Sequence, residues 1–232
     1  MPTIDIRGVI VPEDDLWIYE WFGMEATSPR TVRLALQDAK GGDVSVIINS
    51  GGGDVMAGTE IYTLLREYAG KVKIRIQSFA ASAAAVIAMA AESEMSPVAQ
   101  LMIHNVSSYA EGDNRDMEHM AQVLANANKA LAAAFTAKSG KTEAEVLELM
   151  DRETWFTAEQ AVKEGFVDRV MFTEASGQTA PVKLAASCGS GLLPYNVIAY
   201  AREHINDFSS KAKPEAVAEA EYNYLLLKGE TK

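Results

Sequence analysis

Ser82 stands between an alternating apolar run, Val72, Ile74 and Ile76, and the small residues Ala83-Ala84-Ala85. His104 closes the short apolar run Met102-Ile103. Upstream, Gly51-Gly52-Gly53 follows Ile47-Ile48-Asn49-Ser50. A serine at a helix start, a histidine at a strand end and a glycine run are the parts of an acyl-transfer site. They supply a nucleophile, a base and exposed backbone N–H groups. The chemistry expected of them is that of a serine peptidase.

Each part also has a plainer reading. A serine before a helix commonly caps it, its hydroxyl accepting an orphan N–H. The same helix start can stabilise an oxyanion, because its first N–H groups point outward. Ala80, Ala81, Ala83 and Ala84 are expected to leave space for an approaching peptide carbonyl. His119 and His204 sit among polar neighbours and are expected at the surface, whereas His104 follows apolar residues that would hold a base rigidly. The glycines could form a simple tight turn, or let the backbone approach a substrate strand with an N–H aimed at the oxyanion.

Two phosphate-binding patterns are excluded by spacing. A dinucleotide loop would need glycine where Met56 stands. Ser139-Gly140-Lys141-Thr142 imitates a phosphate-loop ending, but Phe135 occupies the position of its first glycine. There is no cysteine pair, no His-Glu-x-x-His and no Gly-x-Ser-x-Gly elbow.

The chain has 232 residues, 48% hydrophobic and 23% charged, enough for one substantial core. Its net charge of −11 gives no counterion-release affinity for nucleic acid or anionic lipid. The single cysteine, Cys188, cannot form an intrachain disulfide, which fits a reducing compartment. Met1 to Arg7 lacks the pattern of a signal peptide. The low-charge stretch Ile76 to Ala91 is shorter than the ~18–20 residues of a membrane span. A cytoplasmic protein without nucleic-acid or membrane partners is expected.

Strands are expected over residues 4–11, 44–48, 72–76, 101–103 and 166–170, where β-branched and apolar residues cluster or alternate. Ser28-Pro29 should open a helix that Gly41-Gly42 ends. Ile61, Leu64, Leu65 and Tyr68 mark a second helix, and Ser82 to Met95 reads as a third. Met120, Leu124, Leu131 and Phe135 mark a long amphipathic one. Thr142 with Glu145, and Thr157 with Gln160, form capping-box patterns. Repeated strand–helix units imply an α/β fold with parallel strands. After Phe172 the composition turns to Gly, Ser, Thr and Ala, so residues 1–172 are expected to form the domain. Residues 173–232 would form a linker and extension, with helix patterns at 192–208 and 214–227.

Over residues 4–172 the chain resembles the proteolytic subunit of the Clp protease family. Asn49-Ser50-Gly51-Gly52-Gly53 is similar to its Asn-Ser-Pro-Gly-Gly loop, with Gly51 in place of proline. Ala80-Ala81-Ser82 matches its nucleophile motif and Met102-Ile103-His104 its histidine motif. Arg152 to Ala161 resembles its Arg-Asp-x-Phe segment, followed by the family's ending at Gly165 to Asp168. The motifs come in the family's order at family-like separations.

The resemblance implies a Clp/crotonase-type fold, a nucleophile at Ser82 and a base at His104. It implies an oxyanion and substrate site at Gly52, Gly53 and Ala83. Glu153 falls where the family has its triad aspartate; Asp151 is the competing carboxylate. No metal or organic cofactor is required, and the substrates would be proteins or peptides. The family assembles homo-oligomeric rings, heptamers or stacked double rings, with the long helix between rings. A first strand close to Met1 and a long tail look most like the head-maturation proteases of phages and prophages, which trim capsid and scaffold proteins in the host cytoplasm or procapsid. A housekeeping subunit served by a ring ATPase and a non-catalytic ring-forming assembly protein are the alternatives.

Overall fold

The computed structural model describes residues 1–173, 193 and 195–203. The elements run β1 (Thr3–Ile10), α1 (Leu16–Trp21), β2 (Ala26–Thr27), α2 (Pro29–Asp38), β3 (Val44–Gly53), α3 (Val55–Glu67), β4 (Val72–Ala81) and α4 (Ala83–Ala88). They continue with β5 (Glu92–Met95), β6 (Gln100–Ile103), α5 (Asn114–Ser139), α6 (Glu143–Asp151), β7 (Thr154–Thr157), α7 (Ala158–Lys163), β8 (Arg169–Val170) and α8 (Tyr195–Glu203). The expected α/β architecture is present. The main sheet has the order β2-β1-β3-β4-β5-β8 with parallel neighbours.

Strand β4 forks the sheet. Residues 73–76 pair with β5, while residues 79–81 pair with β6, which in turn pairs antiparallel with β7. Ile6, Val46, Ile48, Ile74 and Ile76 are fully buried, as β-branched side chains are when a parallel sheet is covered on both faces. Helix starts follow local chemistry. Ser28 accepts from the Thr31 N–H ahead of Pro29, and reciprocal capping boxes open α5 (Asp113 with Asp116), α6 (Thr142 with Glu145) and α7 (Thr157 with Gln160). Gly140, in the left-handed conformation, ends α5, so the segment that imitated a phosphate loop is a junction between two helices.

Several expectations need correction. The helix expected over 82–95 stops at Ala88, and Glu92–Met95 is strand β5, held between β4 and β8. Alanines made the whole stretch look helical, but tertiary pairing overrode that propensity. The glycine run is not a loop after β3: the strand continues through Gly53, pairing with β1 beyond a register shift. Strand β4 extends to Ala81, and the strand expected over 166–170 is confined to Arg169–Val170. Strand β2, helix α1 and strand β7 carry no signal in the sequence patterns above.

Within the extension expected after Phe172, the helix pattern at 192–208 is met by α8, and this part packs on the rest of the chain. Ala201 joins a small core with Val9, Val11, Ile18 and Tyr19, and Leu193 and Ile198 pack against it. The Leu193 N–H donates to the Tyr19 hydroxyl at 3.0 Å, and Arg202 pairs with the buried carboxylate of Asp15. The helix pattern at 214–227, most of the 173–191 segment, Cys188 and His204 lie outside the described residues.

Candidate active site

The fork in β4 assembles the site. Ala81 is in register with Met102, and the Ser82 N–H donates to the Met102 carbonyl at 3.0 Å. The parallel strands therefore deliver Ser82 and His104 side by side as each leaves the sheet. Ser82 Oγ and His104 Nε2 are 2.8 Å apart. Ser82 makes no capping hydrogen bond to α4; its backbone is left-handed, with φ 55° and ψ −124°. A non-glycine residue there costs on the order of 1–3 kcal/mol and persists only where its surroundings impose it. The turn directs the hydroxyl at the imidazole rather than at the helix start.

His104 is half-buried. Burial pushes its pKa below the ordinary histidine value, and the charge of Glu153 opposes that shift in part. The neutral imidazole is thus the resting form near pH 7, as a general base requires. Asn128, on α5, accepts the Val106 N–H at 2.7 Å and fastens the chain just past the histidine.

The two candidate carboxylates differ in their partners. Asp151 accepts from Asn105 Nδ2 at 2.7 Å. Glu153 accepts the Trp155 indole N–H at 3.2 Å, and its charge is the one felt by His104. Trp155 stacks on Phe79 with centroids 5.9 Å apart, which ties the carboxylate to β4. Glu153 also has a left-handed backbone, with φ 48°. Among the described residues the hydrogen-bond partner of the imidazole is Ser82, and Glu153 acts on it through charge.

The glycine strand forms the facing wall. A Cβ on Gly52 would lie 2.6 Å from the Ala81 carbonyl oxygen and 2.7 Å from Ser82 Cβ. Only glycine can pass there. The Gly52 N–H donates to Ser50 Oγ at 3.0 Å. Gly53 borders a cavity of about 80 Å³ with Ser82, His104, Val86 and Phe135. Ala83 opens α4, where first-turn N–H groups have no intrahelical partner. The small residues play a different part from the one expected. Ala80, Ala81, Ala83 and Ala84 are buried, and a Cβ on Gly58 would meet that of Ala83 at 2.8 Å, so they allow α3 and β3 to close on the turn at Ser82.

Ser50, Asn105, Asn128 and Trp155 also hold the site. Ser50 and Trp155 lie within the family-like motifs, which give them no role of their own, and Asn105 and Asn128 carry no sequence signal; the hydrogen bonds and the stacking reveal what each does.

The fold and site define an α/β protein with a serine–histidine pair where two parallel strands leave a forked sheet. Residues 24–174 match the Clp protease family, and the chain belongs to that family. It is 35% identical to the ATP-dependent Clp protease proteolytic subunit 1 of Streptomyces avermitilis over 141 residues, 60% of this chain and 64% of the relative. It is 29% identical to the subunit 1 of Leifsonia xyli over 175 residues, 69% of this chain and 88% of that protein. The proteolytic subunit of Bacteroides fragilis is 34% identical over 134 residues, 56% of this chain and 65% of the relative. The chain thus spans just under two thirds of the first and third of these proteins. No helix among the described residues is long and apolar enough to cross a membrane.

Proposed function

We propose that the chain is a serine endopeptidase of the Clp type. The observation that carries this reading is the 2.8 Å contact between Ser82 Oγ and His104 Nε2 on a backbone turn that leaves the hydroxyl uncapped. Ser82 attacks the scissile carbonyl while His104 takes its proton, and His104 later returns that proton to the leaving amine. The Glu153 charge favours the imidazolium that forms between these steps. The N–H groups of Gly53 and Ala83 hold the oxyanion, and Gly52 forms the wall beside it. The cavity that Ser82 and His104 border is lined by Val55, Val86, Val106, Leu131 and Phe135, with Asn105 and Ser107 as its other side chains, so an uncharged side chain suits it.

Assembly into rings belongs to the same proposal. The first half of α5 is poorly covered, with Met117 39% and Val123 44% exposed, while Leu131 and Phe135 near its end are buried in the core. A second copy covering that half is supported by the family resemblance and by the tendency of such assemblies to close symmetrically. Light scattering should give a multimer that Leu124→Glu disrupts; a monomer at micromolar concentration, alone and with substrate, would count against it.

The relatives' names include ATP dependence, which supports a partner ring ATPase over the head-maturation role. Labelling with a fluorophosphonate, read by mass spectrometry, tests the catalytic reading: modification of Ser82 supports it, and an unlabelled folded chain supports a non-catalytic assembly protein. Nucleotide-dependent degradation with a ring ATPase would then support the housekeeping role. Cleavage of a capsid or scaffold protein without nucleotide would support head maturation.

A further inference from the structure

We infer that Ser50 is a positioning residue of the site, the staple that holds Gly52 against the nucleophile turn. The inference rests on the peptidase reading above. The β1–β3 ladder shifts register between Arg7 and Val9, and the β3–β4 ladder shifts between Ile48 and Ser50. A bulge takes backbone groups out of the ladder, and buried groups so displaced need another partner. The Ser50 hydroxyl supplies it twice. It donates to the Gly8 carbonyl at 2.6 Å and accepts the Gly52 N–H at 3.0 Å. Its side chain is buried, so water cannot substitute.

The consequence falls on the reacting centre. Gly8 and Gly52 have φ of 64° and 92°, conformations that glycine adopts at little cost but that no side chain enforces. The two hydrogen bonds hold them instead. Gly52 has no room to spare against Ala81, Ser82 and Ala83: a Cβ would lie 2.9 Å from the Ala83 nitrogen. A small movement of Gly52 therefore moves the turn that aims Ser82 Oγ and the Ala83 N–H. Ser50 touches no reacting atom, and it acts through Gly52.

The test compares wild type, Ser50→Ala and Ser50→Cys for fluorophosphonate labelling and peptide cleavage. A misplaced site loses rate even when every chain is folded, by about tenfold to a hundredfold for displacements near 1 Å. Ser50→Ala should therefore label to one site per chain at completion, at a rate reduced on the order of tenfold to a hundredfold, with kcat reduced by the same factor and KM little changed. The acid limb of the pH profile should stay in place, because His104 is untouched. Ser50→Cys, nearly isosteric with a weaker donor and acceptor, should fall between the two. Wild-type rate in Ser50→Ala, or incomplete labelling with an unchanged rate for the reactive fraction, would overturn the inference; the second result marks a merely structural residue. Should Ser50→Ala fail to fold, a fully labelled but slow Ser50→Cys supports it and a wild-type rate overturns it. A wild-type chain that neither labels nor cleaves removes the peptidase reading and this inference together.

Discussion

Ser82 Oγ faces His104 Nε2 at 2.8 Å because Ala81 and Met102 share a register in two parallel strands. The contact needs the left-handed backbone at Ser82. Ser82→Ala should abolish peptide cleavage, a loss on the order of a million-fold, as removal of a serine nucleophile causes in well-studied peptidases. It should leave the fold unchanged, because the hydroxyl caps no helix. Ser82→Gly should be equally inactive but more stable than Ser82→Ala by about 1 kcal/mol, since glycine tolerates this backbone. Thermal melting of the two variants checks the difference. Equal melting temperatures would show that the turn stores no strain.

If His104 is the base, as proposed, its environment should set the acid limb of activity. Burial lowers its pKa and Glu153 partly opposes that. Activity of the native protein should therefore fall on acidification only below the ordinary histidine value of ~6.5. Glu153→Gln removes the opposing charge, so the limb should move to still lower pH while the maximal rate drops. Asp151→Asn should leave the limb in place, because Asp151 serves Asn105. A pH–rate profile for each variant decides the matter. A limb that moves with Asp151 and not with Glu153 would reverse the assignment.

Glu94 lies at the centre of a charge cluster where β4, β5 and β8 meet. Its burial pushes the carboxyl up, but hydrogen bonds from Arg169, Lys73 and Arg75 outweigh that and hold its pKa at about 2. The folded-state value is depressed, so the stabilisation is complete above the unfolded value near ~4.3 and is lost as pH falls towards 2. Glu94→Gln should cost on the order of 1–3 kcal/mol at pH 7, an amount discounted for the partly exposed cations around it. The deficit should shrink as pH falls below ~4.3. Urea melts at pH 7 and pH 3 measure it, and an equal deficit at both would remove the electrostatic account.

Helix α8 should matter for stability. Arg202 Nε donates to Asp15 at 2.8 Å, and Ala201 fills the small core beside Val9 and Ile18. Arg202→Ala leaves the buried Asp15 carboxylate unpaired and should destabilise by roughly 1–3 kcal/mol. Truncation after residue 173 should lower the melting temperature further, because it bares Val9, Val11 and Tyr19. If the truncated chain melts like the full one, the contacts of residues 193–203 add nothing to stability.

Much of the fold is legible without coordinates. The β-branched runs at Val44 and Val72, the Ser28-Pro29 start and the two threonine capping boxes are local signals, and each reappears in place. The failures share one cause. Glu92–Met95 carries no strand signal and is a strand only because β4 and β8 flank it. Gly51 to Gly53 looks like a turn and is a strand only because β1 lies alongside. Helix α8 is docked by residues near the other end of the chain.

The same division runs through the site. Residue type and order determined which groups could react: a serine before small residues, a histidine after an apolar run, a glycine run upstream and a carboxylate at 151 or 153. Those are properties of short segments, and short segments carry them. The tertiary structure decided which groups meet. Strand register brings Ser82 to His104, the stacking of Trp155 on Phe79 places Glu153 where its charge reaches the imidazole, and the amide of Asn105 occupies Asp151. Each of these depends on pairings between residues far apart in the chain, which no local pattern encodes.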